Sequence, residues 1–176
     1  AALVVATLLA SMLIKRIGKK KLYIVGLVIF GILPLVRFIQ VTNVALVMVA
    51  TAFIGFGSGL CTPLAYGIQA DNTDYIELEL GYRAEGAVAA LSSFITKCAM
   101  GIGGAIPGYL LAMVGFNAEA AVQTESVNVA ITMCVTIVPA VFALMGAAIF
   151  GIFYPLTKGK LDEQVETLRK LHGGKK

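Results

Sequence analysis

Residues 84–116 read AEGAVAALSSFITKCAMGIGGAIPGYLLAMVGF, and after Glu85 this run carries one charge, Lys97. A helix of that length rises about 50 Å, more than the roughly 30 Å of bilayer hydrocarbon. Apart from Lys97 and the hydroxyls of Ser92, Ser93 and Thr96 it is apolar or small, which leaves no broad polar face for water. In a soluble domain such a helix has to be wholly enclosed. In a bilayer it is an ordinary span.

The neighbouring stretches repeat the pattern. Leu22–Gln40 is apolar apart from Pro34 and Arg37, and Arg37 near its end reads as an interfacial anchor. A polar pinch at 40–43 separates it from a second run beginning at Val44 and ending near Ile68, and a last span covers Val129–Tyr154. The opening AALVVATLLASMLI (1–14) is short for a span. It reads as the end of a longer transmembrane helix that begins upstream. The expected organisation is therefore a stub at 1–14, full spans at about 22–40, 44–68, 84–116 and 129–154, a polar loop at 69–83, and a charged tail at 155–176. The fold class is all-α, a polytopic membrane helical bundle.

Composition agrees. Of the 176 residues 59% are hydrophobic and 14% are charged, and the mean hydropathy is +0.89. Soluble domains run at about 45–50% apolar and about 25% charged. Disorder is excluded by the same figures. The net charge of +4 does not read as a nucleic-acid footprint, because the cations border apolar runs. Five lie in KRIGKKK (15–21), one is Arg83, and six lie in the tail, while 40–43 and 117–128 hold none. By the positive-inside rule the basic side is cytoplasmic, which puts the C-terminus inside. The setting is the cell (inner) membrane. In the tail, Leu161, Val165, Leu168 and Leu171 form an amphipathic stripe.

Chemistry is concentrated in few places. Cys61, Cys98 and Cys134 are far apart inside apolar runs, and His172 is the only histidine. These read as small hydrophobes and a polar tail residue, with no metal site, resident cofactor or enzyme constellation. The glycine patterns at 55–59 and 101–104 lie within spans and suit helix packing better than phosphate binding. Lys97 stands out, because a lysine at bilayer depth costs at least about 2.5–3.5 kcal/mol. It shares a stripe with Gly86, Ala90, Ser93, Gly101, Gly104 and Gly108. That stripe suits a protein or water-filled surface, not lipid. Ser92, Ser93 and Thr96 add hydroxyls beside it. No complete span offers an acid to balance Lys97, so its counter-ion is expected from outside this chain. The acids Asp71, Asp74, Glu77 and Glu85, together with Arg83, read as ion pairs of a gate at the membrane surface.

The spacing Ala70, Asp71, Asp74, Tyr75, Glu77, Arg83, Glu85, followed by Lys97 twelve positions on, resembles the C-terminal half of the glycoside-pentoside-hexuronide:cation symporters of the major facilitator superfamily. KRIGKKK similarly resembles that superfamily's basic loop, with Arg16, Gly18, Lys19 and Lys20 fitting its pattern. The resemblance implies that Lys97 lies near the sugar and cation sites and meets aspartates of an N-terminal half missing from this chain. It implies that Ser92 and Ser93 are polar pathway positions, and that Asp71 and Arg83 belong to a cytoplasmic gate. Thr62 falls where the melibiose permease of this group has a sugar-proximal tryptophan. The function so implied is secondary active transport of a sugar with Na⁺ or H⁺ by alternating access. The alternatives are a relative carrying a non-sugar substrate, or a non-transporting membrane scaffold.

Overall fold

A computed structural model describes residues 2–38, 43–120 and 122–173. Residues 1, 39–42, 121 and 174–176 lie outside the described residues, and with them most of the expected connection at 40–43 and the tail's Lys175 and Lys176. Among the described residues six α-helices follow one another: α1 (Ala2–Ile17), α2 (Lys19–Ile32), α3 (Val44–Leu80), α4 (Glu85–Met113), α5 (Glu125–Phe153) and α6 (Lys158–Gly173). There is no strand among the described residues, as the hydropathy pattern requires.

Two helices depart from the expected boundaries. The segment expected as one span at 22–40 is instead α2 followed by a 3-10 helix, Leu33–Phe38. Pro34 sits at this junction, where it cannot donate to the carbonyl one α-turn back. The two pieces together rise about 33 Å. Three helices among the described residues, α3, α4 and α5, are long and apolar enough to cross a membrane by themselves. Arg37, expected as an interfacial anchor, is half-buried, and its Nε has no hydrogen-bond partner among the described residues.

The second departure is larger. Residues 69–80, read as loop because they are polar, continue α3 without a break. Polarity tells where a segment lies relative to lipid. It does not stop the backbone from following its own hydrogen-bond ladder. What stops α3 is Gly81, in the left-handed region at φ +76°, whose N–H donates to the Glu77 carbonyl at 2.9 Å. Gly18 does the same between α1 and α2, at φ +84° with its N–H on the Ile14 carbonyl.

The core lies where α1, α2 and α3 meet, on Ala6, Ala10, Leu22, Leu60 and Leu64. Glycines set the spacing. A methyl group on Gly57 would sit 2.8 Å from Phe30, and one on Gly26 would sit 2.7 Å from the Cys61 sulfur. At Gly59 it would run into the backbone of Leu3, which is the close approach expected of the Gly55/Gly59 pair. Pro63 lies inside α3 and leaves the Gly59 carbonyl without its usual donor. The Thr7 hydroxyl of α1 shares its one proton between the Leu3 carbonyl at 3.0 Å and that oxygen at 3.1 Å, so a neighbouring helix partly fills the gap. Helix α5 packs on α2 through small buried residues that include Ala140, Ala143 and Ala147, with Gly31 against Leu144.

Helix α4 is different. None of its residues is buried, and a side chain added at Gly86, Gly101, Gly104 or Gly108 would meet nothing within 4 Å. The small-residue stripe of Lys97 therefore borders open space. Helix α6 docks by a face shifted from the expected stripe. Leu168 and Gln164 are buried, whereas Val165 and Leu171 are exposed.

Candidate functional site

Along α3, Ser58, Thr62, Ala65, Gln69 and Asn72 recur at steps of four and three, so they share one face. That face lines a cavity of about 620 Å³. Opposite it stand Ser92 and Thr96 of α4, with Tyr23 and Phe30 of α2 and Phe150 of α5 completing the wall. The volume lies within the range of small-molecule sites. Thr62 donates its proton to the Ser58 carbonyl at 2.9 Å, and Thr96 donates to the Ser92 carbonyl at 2.8 Å. Both hydroxyls are thus oriented by their own helices.

The cavity gathers three residues expected on the substrate pathway, Thr62, Ser92 and Thr96. It does not gather the other two. Ser93 and Lys97 lie further round α4, both exposed, and Lys97 forms no ion pair among the described residues. The sequence reading passed over Ser58, Gln69 and Asn72. Their regular spacing with Thr62 is the signal that marks them.

The charged end of the bundle holds two separate ion-pair systems. Asp71 turns to α2, where the Lys19 ammonium donates to its two carboxylate oxygens at 2.7 and 2.8 Å and to the Gly67 carbonyl at 3.4 Å. Both side chains are largely withdrawn from solvent. Asp74, Glu77 and Glu85 surround Arg83 instead. Its Nε donates to Glu85 at 2.7 Å, one terminal nitrogen to Glu77 at 3.4 Å, and the other lies 3.7 Å from Asp74. The hydrogen bond and charge of Glu85 lead in pushing the Arg83 pKa further up, with smaller contributions from Glu77 and Asp74. Arg83 therefore stays cationic and ties the end of α3 to the start of α4. The expected gate set is brought together with one division, Asp71 standing apart with Lys19. The sequence reading counted Lys19 only as a topology charge.

Further contacts bind this end. Gln164 of α6 donates to the Asp71 backbone carbonyl at 2.9 Å, Lys158 to the Lys15 carbonyl at 2.8 Å, and Lys20 to the Tyr154 carbonyl at 2.6 Å. The tail and the α1–α2 junction are thereby held to the helices that carry the acids.

Residues 1–158 match the family model described as MFS/sugar transport protein. The chain belongs to this family. Among its relatives, the glucuronide carrier protein homolog of Escherichia coli K12 is 34% identical over 154 residues, which cover 87% of this chain and 33% of the relative. The isoprimeverose transporter of Lactiplantibacillus pentosus is 39% identical over 147 residues, 82% of this chain and 30% of the relative. A putative sulfoquinovose importer of Salmonella typhimurium is 26% identical over 166 residues, 94% of this chain and 35% of the relative. The chain spans about a third of the length of these relatives. The family is one of membrane transport proteins, in keeping with a multi-pass, all-helical chain.

Proposed function

We propose that the chain is part of a secondary active transporter that moves a sugar together with Na⁺ or H⁺ by alternating access. The observation that carries this is the largely apolar cavity between α3 and α4, on which Ser58, Thr62, Gln69, Asn72, Ser92 and Thr96 set hydroxyls and amides, together with the Lys19–Asp71 pair carried further along α3. A sugar needs many neutral hydrogen-bonding partners, and a carrier needs a closure that opens and shuts. The relatives named for glucuronide and isoprimeverose point the same way. The working unit includes an N-terminal half whose helices meet the unburied face of α4. The basic ends lie on the cytoplasmic side of the cell (inner) membrane, with α6 inside. Lys97, Ser92, Ser93, Thr96 and Thr62 then border the sugar and cation pathway. Asp71, Asp74, Glu77, Arg83 and Glu85 form the cytoplasmic gate.

The test is uptake of radiolabelled sugars by the full-length transporter, with an imposed Na⁺ gradient, an H⁺ gradient, or neither. Accumulation that follows one gradient supports the reading. No gradient-driven uptake of any sugar, from protein shown to be folded in the membrane, defeats it. Sidedness has its own check. Cysteines placed at Glu119 and at Lys160, both exposed, are expected to react with impermeant reagents from opposite faces of the membrane. Labelling of both from one face rejects the topology.

A further inference from the structure

Resting on that transport reading, we infer that Tyr154 is a positioning residue of the gate, whose phenol takes the Asp71 carboxylate when Lys19 releases it. Tyr154 caps the end of α5. Its ring stacks on Phe150, with centroids 4.3 Å apart and planes 17° off parallel, and Phe150 meets Tyr23 edge-on at 4.9 Å. Its backbone carbonyl accepts from Lys20 at 2.6 Å, and the preceding residue, Lys19, holds Asp71. Ring and backbone are thus both fixed close to the ion pair.

The hydroxyl has no task in this closed arrangement. Tyr154 Oη is buried and has no hydrogen-bond partner among the described residues. A buried donor left without an acceptor costs stability, and a phenylalanine would stack as well without that cost. This chain's own atoms enclose the oxygen, so in this state no group from another part of the transporter reaches it. Burial, and after it the charge of Asp71, push the phenol pKa up to about 12. Tyr154 therefore keeps its proton at physiological pH, and the nearby carboxylate is an acceptor for it.

Asp71 needs such a donor during opening. Its side chain is 14% exposed, and both its oxygens accept from the Lys19 ammonium. Losing that ammonium strands a largely buried carboxylate, which makes opening rare. The Gln164 amide donates to the Asp71 backbone carbonyl instead. A phenol donating to a carboxylate makes a charge-assisted bond. The hydroxyl that is idle in the closed gate thereby stabilises the open one.

The test is the rate at which Cys61, which lines the cavity, reacts with an impermeant maleimide added on the cytoplasmic side of the full-length transporter. It is run in a Cys98→Ser background with Cys61→Ser as the blank, beside uptake and thermal stability. Tyr154→Phe keeps the stack and removes only the hydroxyl. Labelling and uptake are expected to fall at least about threefold. The thermal midpoint is expected to stay the same or rise, since the closed state loses a donor without an acceptor. In an Asp71→Asn background the same substitution is expected to change labelling by less than about twofold, because a neutral amide is the weaker acceptor. Unchanged labelling in Tyr154→Phe, an equal effect in the Asp71→Asn background, or a loss of labelling matched by a lower thermal midpoint overturns the inference. Gradient-driven uptake by the unmodified protein then leaves sugar transport standing. Absence of gradient-driven uptake of any sugar by the folded unmodified protein overturns the transport reading itself, and the inference with it.

Discussion

Lys97→Leu is expected to abolish cation-coupled sugar uptake by the full-length transporter while much of the protein remains folded in the membrane. The ammonium is kept at bilayer depth despite an insertion cost of at least about 2.5–3.5 kcal/mol. It has no ion-pair partner among the described residues, and the glycines on its stripe border open space. In the proposed transporter its partners are acids of the other half. Removing the ammonium would leave them unbalanced and raise their proton affinity, because an opposite charge nearby favours the ionised form. Coupling would fail with it. A purely structural ion pair predicts a different result, in which an orphaned buried carboxylate costs about 3–5 kcal/mol and the protein is lost in step with activity. Uptake, membrane abundance and thermal stability measured on the same preparations separate the two. Near-normal uptake by the leucine variant would refute a pathway role.

The second large effect is expected at the charged end. Asp71→Lys places two ammonium groups where Lys19 and Asp71 now lie 2.7 Å apart. Uptake should fall by at least about tenfold, since breaking a largely buried pair costs on the order of 3 kcal/mol. The exchanged double variant Lys19→Asp with Asp71→Lys should recover much of it. Cys61 gives a direct reading of the gate, because its thiol lines the cavity. In a Cys98→Ser background, Cys61 should react faster with reagents added on the cytoplasmic side when the pair is broken, and return toward normal in the exchange. Unchanged labelling in Asp71→Lys would show that this pair does not close the cavity.

The membrane character was legible because it depends on long apolar runs, which need no tertiary information. Ser92 and Thr96 were legible as hydroxyls within about a turn of Lys97, whereas Thr62 entered only through the family resemblance. The continuation of α3 through residues 69–80 was not, because a polar stretch beside a span looks the same whether coiled or helical. Only Gly81 signals the stop. The partner of Asp71 was hidden by distance. Lys19 lies 52 positions away, and nothing local to either residue indicates the other. The division of the acids was hidden too. Asp71 and Asp74 are near neighbours on a helix face, yet one turns toward α2 and the other toward Arg83.

The unbroken length of α3 has a mechanical meaning. One helix carries Thr62 in the cavity and Glu77 in the proposed gate, about 22 Å apart along its axis. A rotation of about 10° around the cavity would swing the gate end by about 4 Å, using the rise per residue as the measure of the arm. At Asp71, about 13 Å from Thr62 along the axis, the same rotation moves the helix by about 2 Å, enough along the line to Lys19 to stretch their 2.7 Å contact beyond hydrogen-bonding length. In the proposed transporter, occupying the middle of such a lever and loosening its tip are one displacement seen at two radii, with no relay of intervening side chains needed to carry the message.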